Sequence, residues 1–219
     1  MENVKNIRNL KRERKFKYKI NVFFGIIILF LNIALIICDS EIHLIIQGGG
    51  VQNILSERFK NNPSQVKING ITKNCLKSCQ LEGDKNDVSL TFNVIIISCE
   101  YMFYRLENIT EIDFSNFDFS QVTDISNMLS GCKKLEKIIF SPSIITSSLE
   151  KMNYAFSYFS KLTSIDLSKF DFSKVTDMSY MFRDGKCLEI IKFPINIRTT
   201  SLKKIQNLFY GCSKLTSVD

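Results

Sequence analysis

The sequence predicts an α/β solenoid, a stack of 26–27-residue coils with one short parallel strand and one short helix each, behind an N-terminal α+β cap. Three observations predict it. Ile109–Lys134 and Leu162–Cys187 share the core IDxSxFDFSxVTDxSxM. The intervening Leu135–Lys161 and the following Leu188–Lys214 match each other better than they match the first pair, so the unit is a pair of coils. Two columns hold phase throughout: Ile109, Leu135, Leu162, Leu188 and Leu215 open the units, and seven residues before each stand Met102, Met128, Ala155, Met181 and Leu208.

Within one coil the apolar spacing assigns the elements. Leu162, Ile165 and Leu167 fit LxxIxL, and the last two alternate with Ser164, Asp166 and Ser168 as a strand with one buried face requires. Phe170 and Phe172 then bracket Asp171 in a turn. Val175, Met178, Met181 and Phe182 follow at helical spacing, beginning near Thr176 and Asp177, which are good helix N-caps. A single coil cannot bury such an edge, so coils must stack into a parallel sheet on one wall and helices on the other. The chain stops at Asp219, five residues into a further copy, so the repeats of residues 99–219 read as truncated.

Residues 39–98 read as the cap. Glu41–Gln47 is expected as a strand, Gly48–Gly50 as a turn, Val51–Phe59 as a helix, Gln65–Asn69 as a second strand and Asp87–Ile97 as a longer one. A ubiquitin-like β-grasp patch is a competing description of the same stretch.

The start of the chain reads as an address. Of 29 basic and 22 acidic residues, the leader 1–19 holds eight and two, leaving 21 against 20 in the remainder. A folded part so close to neutral lacks the basic stripe that nucleic acid requires as a partner. Residues 20–38 (INVFFGIIILFLNIALIIC) are uncharged and reach about 28 Å as a helix, near the thickness of a bilayer core. They are read as a membrane partner, either a retained signal anchor or a cleaved signal peptide, with Cys38 as a loose lipobox cysteine in a third reading. In each case the basic end stays cytoplasmic and the repeats are exported, to the cell surface as a single-pass protein or into the medium.

Catalytic chemistry is sparse. GGGVQN at Gly48 has neither GxGxxG spacing nor a Lys-Ser/Thr pair, so it reads as a tight turn. His43 is the one histidine, which leaves no His-based metal cluster, and no GxSxG nucleophile motif accompanies it. The expectation is a non-enzymatic protein with no cofactor, no catalytic residue and no metal site.

The cysteines belong to an exported chain, where disulfides are expected. Cys132 and Cys212 share a column three coils apart, about 14 Å at the spacing of adjacent strands, beyond the ~7 Å that a bridge tolerates. The expected disulfide therefore lies among Cys75, Cys79 and Cys99, with Cys132 and Cys212 as small buried residues. Asn108 opens an Asn-Ile-Thr glycosylation sequon. The candidate ligand surface is the outer sheet face, with Glu111, Asp113, Lys137, Asp166 and Lys192 in its rows.

The run LTSIDLSKFDFSKVTDMSYMF, with the ends MLSGC and LFYGC, resembles the repeat of BspA-type leucine-rich-repeat surface proteins, a unit of mycoplasma lipoproteins and protist surface proteins. The alternating spacing also lies inside the roughly 20–29-residue period of leucine-rich repeats. The resemblance covers Cys99–Asp219, and similar protist proteins carry a cap resembling Ile42–Phe92. Phe119 and Phe172 depart from its usual Thr, the two 27-residue coils lack its DLSxFD signature, and Phe170 stands where common leucine-rich repeats place a ladder Asn. What the resemblance implies is an exported surface protein in an adhesive role, with no catalytic residues to carry over, and the sheet face is expected to recognise a protein or extracellular-matrix ligand. A structural coat or spacer without a specific ligand is the alternative.

Overall fold

Strict alternation makes the first strand. Ser40–Gln47 (β1) buries Ser40, Ile42, Leu44 and Ile46 and leaves the residues between them more open, the period of two that a one-faced strand imposes. The computed structural model describes residues 39–219, and Asp39–Asp219 form one compact unit. After β1 come β2 (Gly50–Asn53), β3 (Gln65–Ile68), β4 (Ile71–Lys73), β5 (Ser78–Leu81) and β6 (Lys85–Phe92). The repeats contribute β7 (Ile109–Asn116), β8 (Lys137–Phe140), β9 (Ser164–Asp166), β10 (Ile190–Lys192) and β11 (Ser217–Val218).

The strands form a six-stranded sheet in the order β4-β3-β6-β1-β7-β8, a three-stranded sheet β9-β10-β11 and the hairpin β2-β5. β7 is the joint between two kinds of pairing. It runs antiparallel to β1, with Leu44 opposite Ile112, and parallel to β8, with Ile112 opposite Ile138. β10 is parallel to both neighbours, with Ile165 opposite Ile191. The parallel wall expected to run unbroken through the repeats is divided, because β8 and β9 belong to different sheets.

Continuity between the repeats lies in a second ladder. Ser98, Asp124, Lys151, Asp177 and Lys204 form successive parallel bridges, one per coil. Lys151 meets Asp124 at 3.6 Å and Lys204 meets Asp177 at 3.9 Å, and the Asp124 and Asp177 carboxylates accept the N–H groups of Ser126 and Ser179 at 2.8 and 2.9 Å. The alternating coil pair thus places opposite charges beside each other along this ladder. Each pair joins an exposed lysine to a largely covered carboxylate and, with one partner in water, is worth about 1 kcal/mol or less.

The helices do not form, and hydrogen-bond accounting shows why. Tyr101, Phe103 and Arg105 donate their N–H groups to the carbonyls of Ser126, Met128 and Ser130 in the next coil, at 3.1, 2.8 and 2.8 Å. Met102, Tyr104 and Leu106 donate three residues back, to Cys99, Tyr101 and Phe103. With every second N–H committed to a neighbouring coil, no i to i−4 helical ladder is left. The turns close through left-handed residues at 101 and 105, 127 and 131, 154 and 158, 180 and 184, 207 and 211, a conformation that L-residues adopt singly and never as a helix.

Two consecutive turns of this kind bury Cys99, Met102, Phe103 and Leu106, then Ile125, Met128, Leu129 and Cys132, then Met152, Ala155, Phe156 and Phe159. That is the i, i+3, i+4, i+7 spacing of an amphipathic helix, produced here by a four-residue turn. The expected α/β solenoid with one helix per coil is therefore corrected: no described residue is helical, and the architecture is mixed antiparallel and parallel sheet with turn pairs. The α+β cap is corrected with it, since Val51–Phe59 is not a helix. Gly50–Asn53 pairs with Ser78–Leu81, after which Ile54 N–H donates to the Lys77 carbonyl at 2.7 Å.

The membrane partner expected through residues 20–38, and the single-pass localisation drawn from it, are not supported. Among the described residues no helix is long and apolar enough to cross a membrane, and 20–38 lies outside the described residues.

Phenylalanine fills the space between strands and turns. Phe114 of β7 packs on Phe103, Phe117, Phe119 and Phe140 with ring centroids 5.4–6.1 Å apart, and the chain of rings continues from Phe140 to Phe170, Phe172 and Phe193. Phe156, Phe182 and Phe209 stack from coil to coil at 5.8–5.9 Å. Offset and edge-on ring pairs at these separations add to the apolar area that they bury.

Candidate functional site

The sheet-face residues fall into two groups. Glu111 and Lys137 are opposite each other on β7 and β8, with Nζ 3.7 Å from Oε2. Asp113 lies between His43 of β1 and Ile139 of β8, and its carboxylate accepts the Ser115 N–H at 2.8 Å. Asp166 and Lys192 are paired on the separate three-stranded sheet. Hydrogen bonds from Ser168, helped by Lys192 and Lys169, hold the Asp166 carboxyl below the usual carboxylate range. Glu111 with Lys137 and Asp166 with Lys192 each pair opposite charges within their own sheet, and the five residues share no single sheet.

Strand pairing places Ser89 and Asp113 on either side of His43. The serine hydroxyl donates to Glu41, whose other oxygen is 3.5 Å from His43 Nε2, so the serine is not hydrogen-bonded to the imidazole. Among the described residues no group of three or more His, Cys, Asp or Glu is placed to hold a metal ion.

The sequon is tied into the cap. Asn108 is half-buried, donates from Nδ2 to Gln52 Oε1 at 3.1 Å and accepts from Lys134 at 3.0 Å, and the buried Thr110 hydroxyl donates to the Ile45 carbonyl at 3.2 Å. Cys75 and Cys79 are joined, with Cα atoms 5.5 Å apart, and Cys99 is a free buried thiol.

The remaining thiols differ in what they can do. Burial, with Asp124 adding to it, pushes the Cys99 thiol far up, and burial pushes Cys132 up to about 12. Cys212 is raised less, again by burial, while Cys187 is only partly covered. The thiolate is the reactive form. Peptide-mapped alkylation of the native protein is expected to modify Cys187 first, Cys212 slowly, and Cys99 and Cys132 only after unfolding. Rapid native modification of Cys132 would contradict the packing of the turns.

The more distinctive surface is the outer side of the turn pairs. The sequence holds seven tyrosines, and Tyr101, Tyr104, Tyr154, Tyr158, Tyr180 and Tyr210 all stand in these turns. Tyr154 and Tyr180 share one left-handed column and stack at 4.7 Å with planes 9° apart. Arg183 lies over Tyr158, Tyr180 and Tyr210 at 5.8, 5.5 and 5.2 Å, its Nε 3.1 Å from the Asp184 carboxylate. Arg58 of the cap lies over Tyr101 and Tyr104 at 5.1 and 4.9 Å, and Arg105 over Tyr104 at 5.1 Å. Between these groups Gly131 leaves an open groove of about 580 Å³ flanked by Arg105 and Tyr158.

This wall lies apart from the charged rows of the sheet face and was not among the candidate surfaces that the sequence marks. The signal was present in the alignment of the coils, where Tyr101, Tyr154 and Tyr180 fall in one column.

Turn pairs stacked through parallel ladders, carrying an outer rail of tyrosine and arginine, define a sheet-and-turn repeat protein. The chain belongs to the family described as Mycoplasma protein of unknown function, DUF285, whose model matches residues 97–218 and thus the whole ladder from Ser98 to Lys204. No curated protein and no solved structure matches the chain.

Proposed function

We propose that the protein is a non-enzymatic, surface-associated repeat protein of the BspA-like leucine-rich-repeat type, and that it recognises a protein or extracellular-matrix partner through its turn wall. Family membership supports surface association. The observation that carries the recognition reading is the concentration of Tyr and Arg on one wall: six tyrosines with Arg58, Arg105 and Arg183. These are the residue types that dominate binding hot spots, because they offer large, rather rigid contact area with a polar tip. Arg183 is also held in place by three rings and a carboxylate, so little freedom remains to be lost on contact.

The test compares two surfaces in binding of the labelled protein to cell-deposited extracellular matrix. The triple substitution Tyr180→Ser, Arg183→Ser, Tyr210→Ser is expected to weaken saturable binding by about tenfold or more, while Glu111→Lys with Asp113→Lys leaves it within about twofold, the scale of a rim charge. Loss confined to the sheet-face variant, or no saturable binding at all, would refute the reading.

A further inference from the structure

We propose that the groove at Gly131 is a saccharide-binding site, taking a short run of neutral or singly anionic pyranose units stacked against Tyr154 and Tyr158. The assignment uses the wall invoked above and narrows its ligand class.

The groove exists because one coil is small where its neighbours are large. In the first left-handed column the order is Tyr101, Asn127, Tyr154, Tyr180, Asn207, and in the second it is Arg105, Gly131, Tyr158, Asp184, Gly211. The coil of Asn127 and Gly131 therefore interrupts a rail of rings. Tyr154 is stacked on Tyr180 with one face, and across from its other face the column offers only the Asn127 side chain. Arg105 packs its Cγ against Gly131 and carries its guanidinium over Tyr104 at 5.1 Å, so it borders the gap. The coils on either side of it stand two coil spacings apart, about 10 Å. A planar ring sandwiched at contact distance on both sides needs about 7–8 Å, so the opening suits a thicker, puckered ring with axial hydrogens.

The polar groups agree with that occupant. Glu107 and Lys133 meet at 2.7 Å on the rim and remain about half exposed, and Asn127 and Ser130 complete the lining. Carboxylate, ammonium, amide and hydroxyl side by side supply acceptors and donors together, which vicinal hydroxyl groups, being both, can use at once. With Arg105 and Lys133 against Glu107, the groove carries one net positive charge, too little for a polyanion. Aromatic faces beside mixed hydrogen-bonding groups match a sugar ring, with its C–H face and hydroxyl edge, and the groove volume lies within the range of small-ligand sites.

Asn127→Tyr is the decisive variant. Tyrosine occupies the same left-handed position in the coils at 101, 154 and 180, so the substitution fits the backbone while extending the ring rail into the gap. The protein is applied to an array of immobilised neutral hexose, N-acetylhexosamine and sialylated oligosaccharides, and the strongest ligand is titrated in solution. The expected result is binding that Asn127→Tyr and Tyr158→Ser each weaken by about tenfold or more and that Ile71→Ser, on the exposed edge strand β4, leaves unchanged. No saccharide bound by the unsubstituted protein, or binding indifferent to Asn127→Tyr, overturns the proposal. Matrix binding that survives periodate oxidation of the matrix glycans but is lost in the Tyr180, Arg183, Tyr210 variant would sink the saccharide assignment alone. Matrix binding indifferent to that triple variant would instead remove the broader recognition reading.

Discussion

Phe114→Ala is expected to destabilise the protein by about 3–5 kcal/mol, the cost of deleting a fully buried aromatic ring in a site that cannot collapse. Phe114 is wholly buried and packs on four other rings. It also stands on the strand that joins the antiparallel cap sheet to the parallel pairing of the repeats. Relaxation into the cavity is blocked on both sides, because β7 is held in register by β1 and by β8. Urea unfolding monitored by near-ultraviolet circular dichroism measures the loss as a fall in midpoint. Tyr210→Ala, which removes a ring that is 58 % exposed, serves as the control, and surface changes of that sort usually stay within about 0.5 kcal/mol. A loss below about 1 kcal/mol for Phe114→Ala would mean that the ring cluster is not the core.

Gly131→Ala tests the turn pair against the helix by the sign of the effect. In a helix interior, alanine in place of glycine stabilises by about 1 kcal/mol. Gly131 instead has a φ of +82°, and a Cβ there would stand 3.1 Å from Cγ and 3.4 Å from Cα of Arg105 in the preceding coil. The left-handed conformation alone costs an L-residue about 1–2 kcal/mol, and displacing Arg105 adds to it. Gly211→Ala repeats the test at the equivalent position, where φ is +78° and the added Cβ would meet the Asp184 carboxylate and lie 3.2 Å from its Cα. Both substitutions are expected to lower the unfolding midpoint; stabilisation by either would restore the helical reading of these segments.

The difference between helix and turn pair also marks how far the sequence could be read. Cys99, Met102, Phe103 and Leu106 satisfy the helical period, and so do Ile125, Met128, Leu129 and Cys132, because a four-residue turn taken twice buries the same positions as two turns of helix. The distinguishing residues were present but ambiguous. Gly131 and Gly211 are at home in left-handed positions, whereas tyrosine at 101, 154 and 180 gives no such hint. The turn wall is hard to see for a related reason: a helical period places Tyr101, Tyr154 and Tyr180 within helices, and only the turn pair sets them in one left-handed column.

Repeat length, strand positions and the paired-coil order of residues 99–219 were determined by the sequence alone, because they depend on which residue types recur at which intervals. Ile112 with Ile138, and Ile165 with Ile191, are paired as that period requires. The destination of each N–H was decided only in three dimensions. The carbonyls that capture Tyr101, Phe103 and Arg105 belong to residues about 25 positions away, and no local pattern states whether such a partner will be within reach. Once it is, bonds between coils replace bonds within a helix, and the groove at Gly131, the arginine–tyrosine contacts and the division of the sheet between β8 and β9 are properties of that stacking.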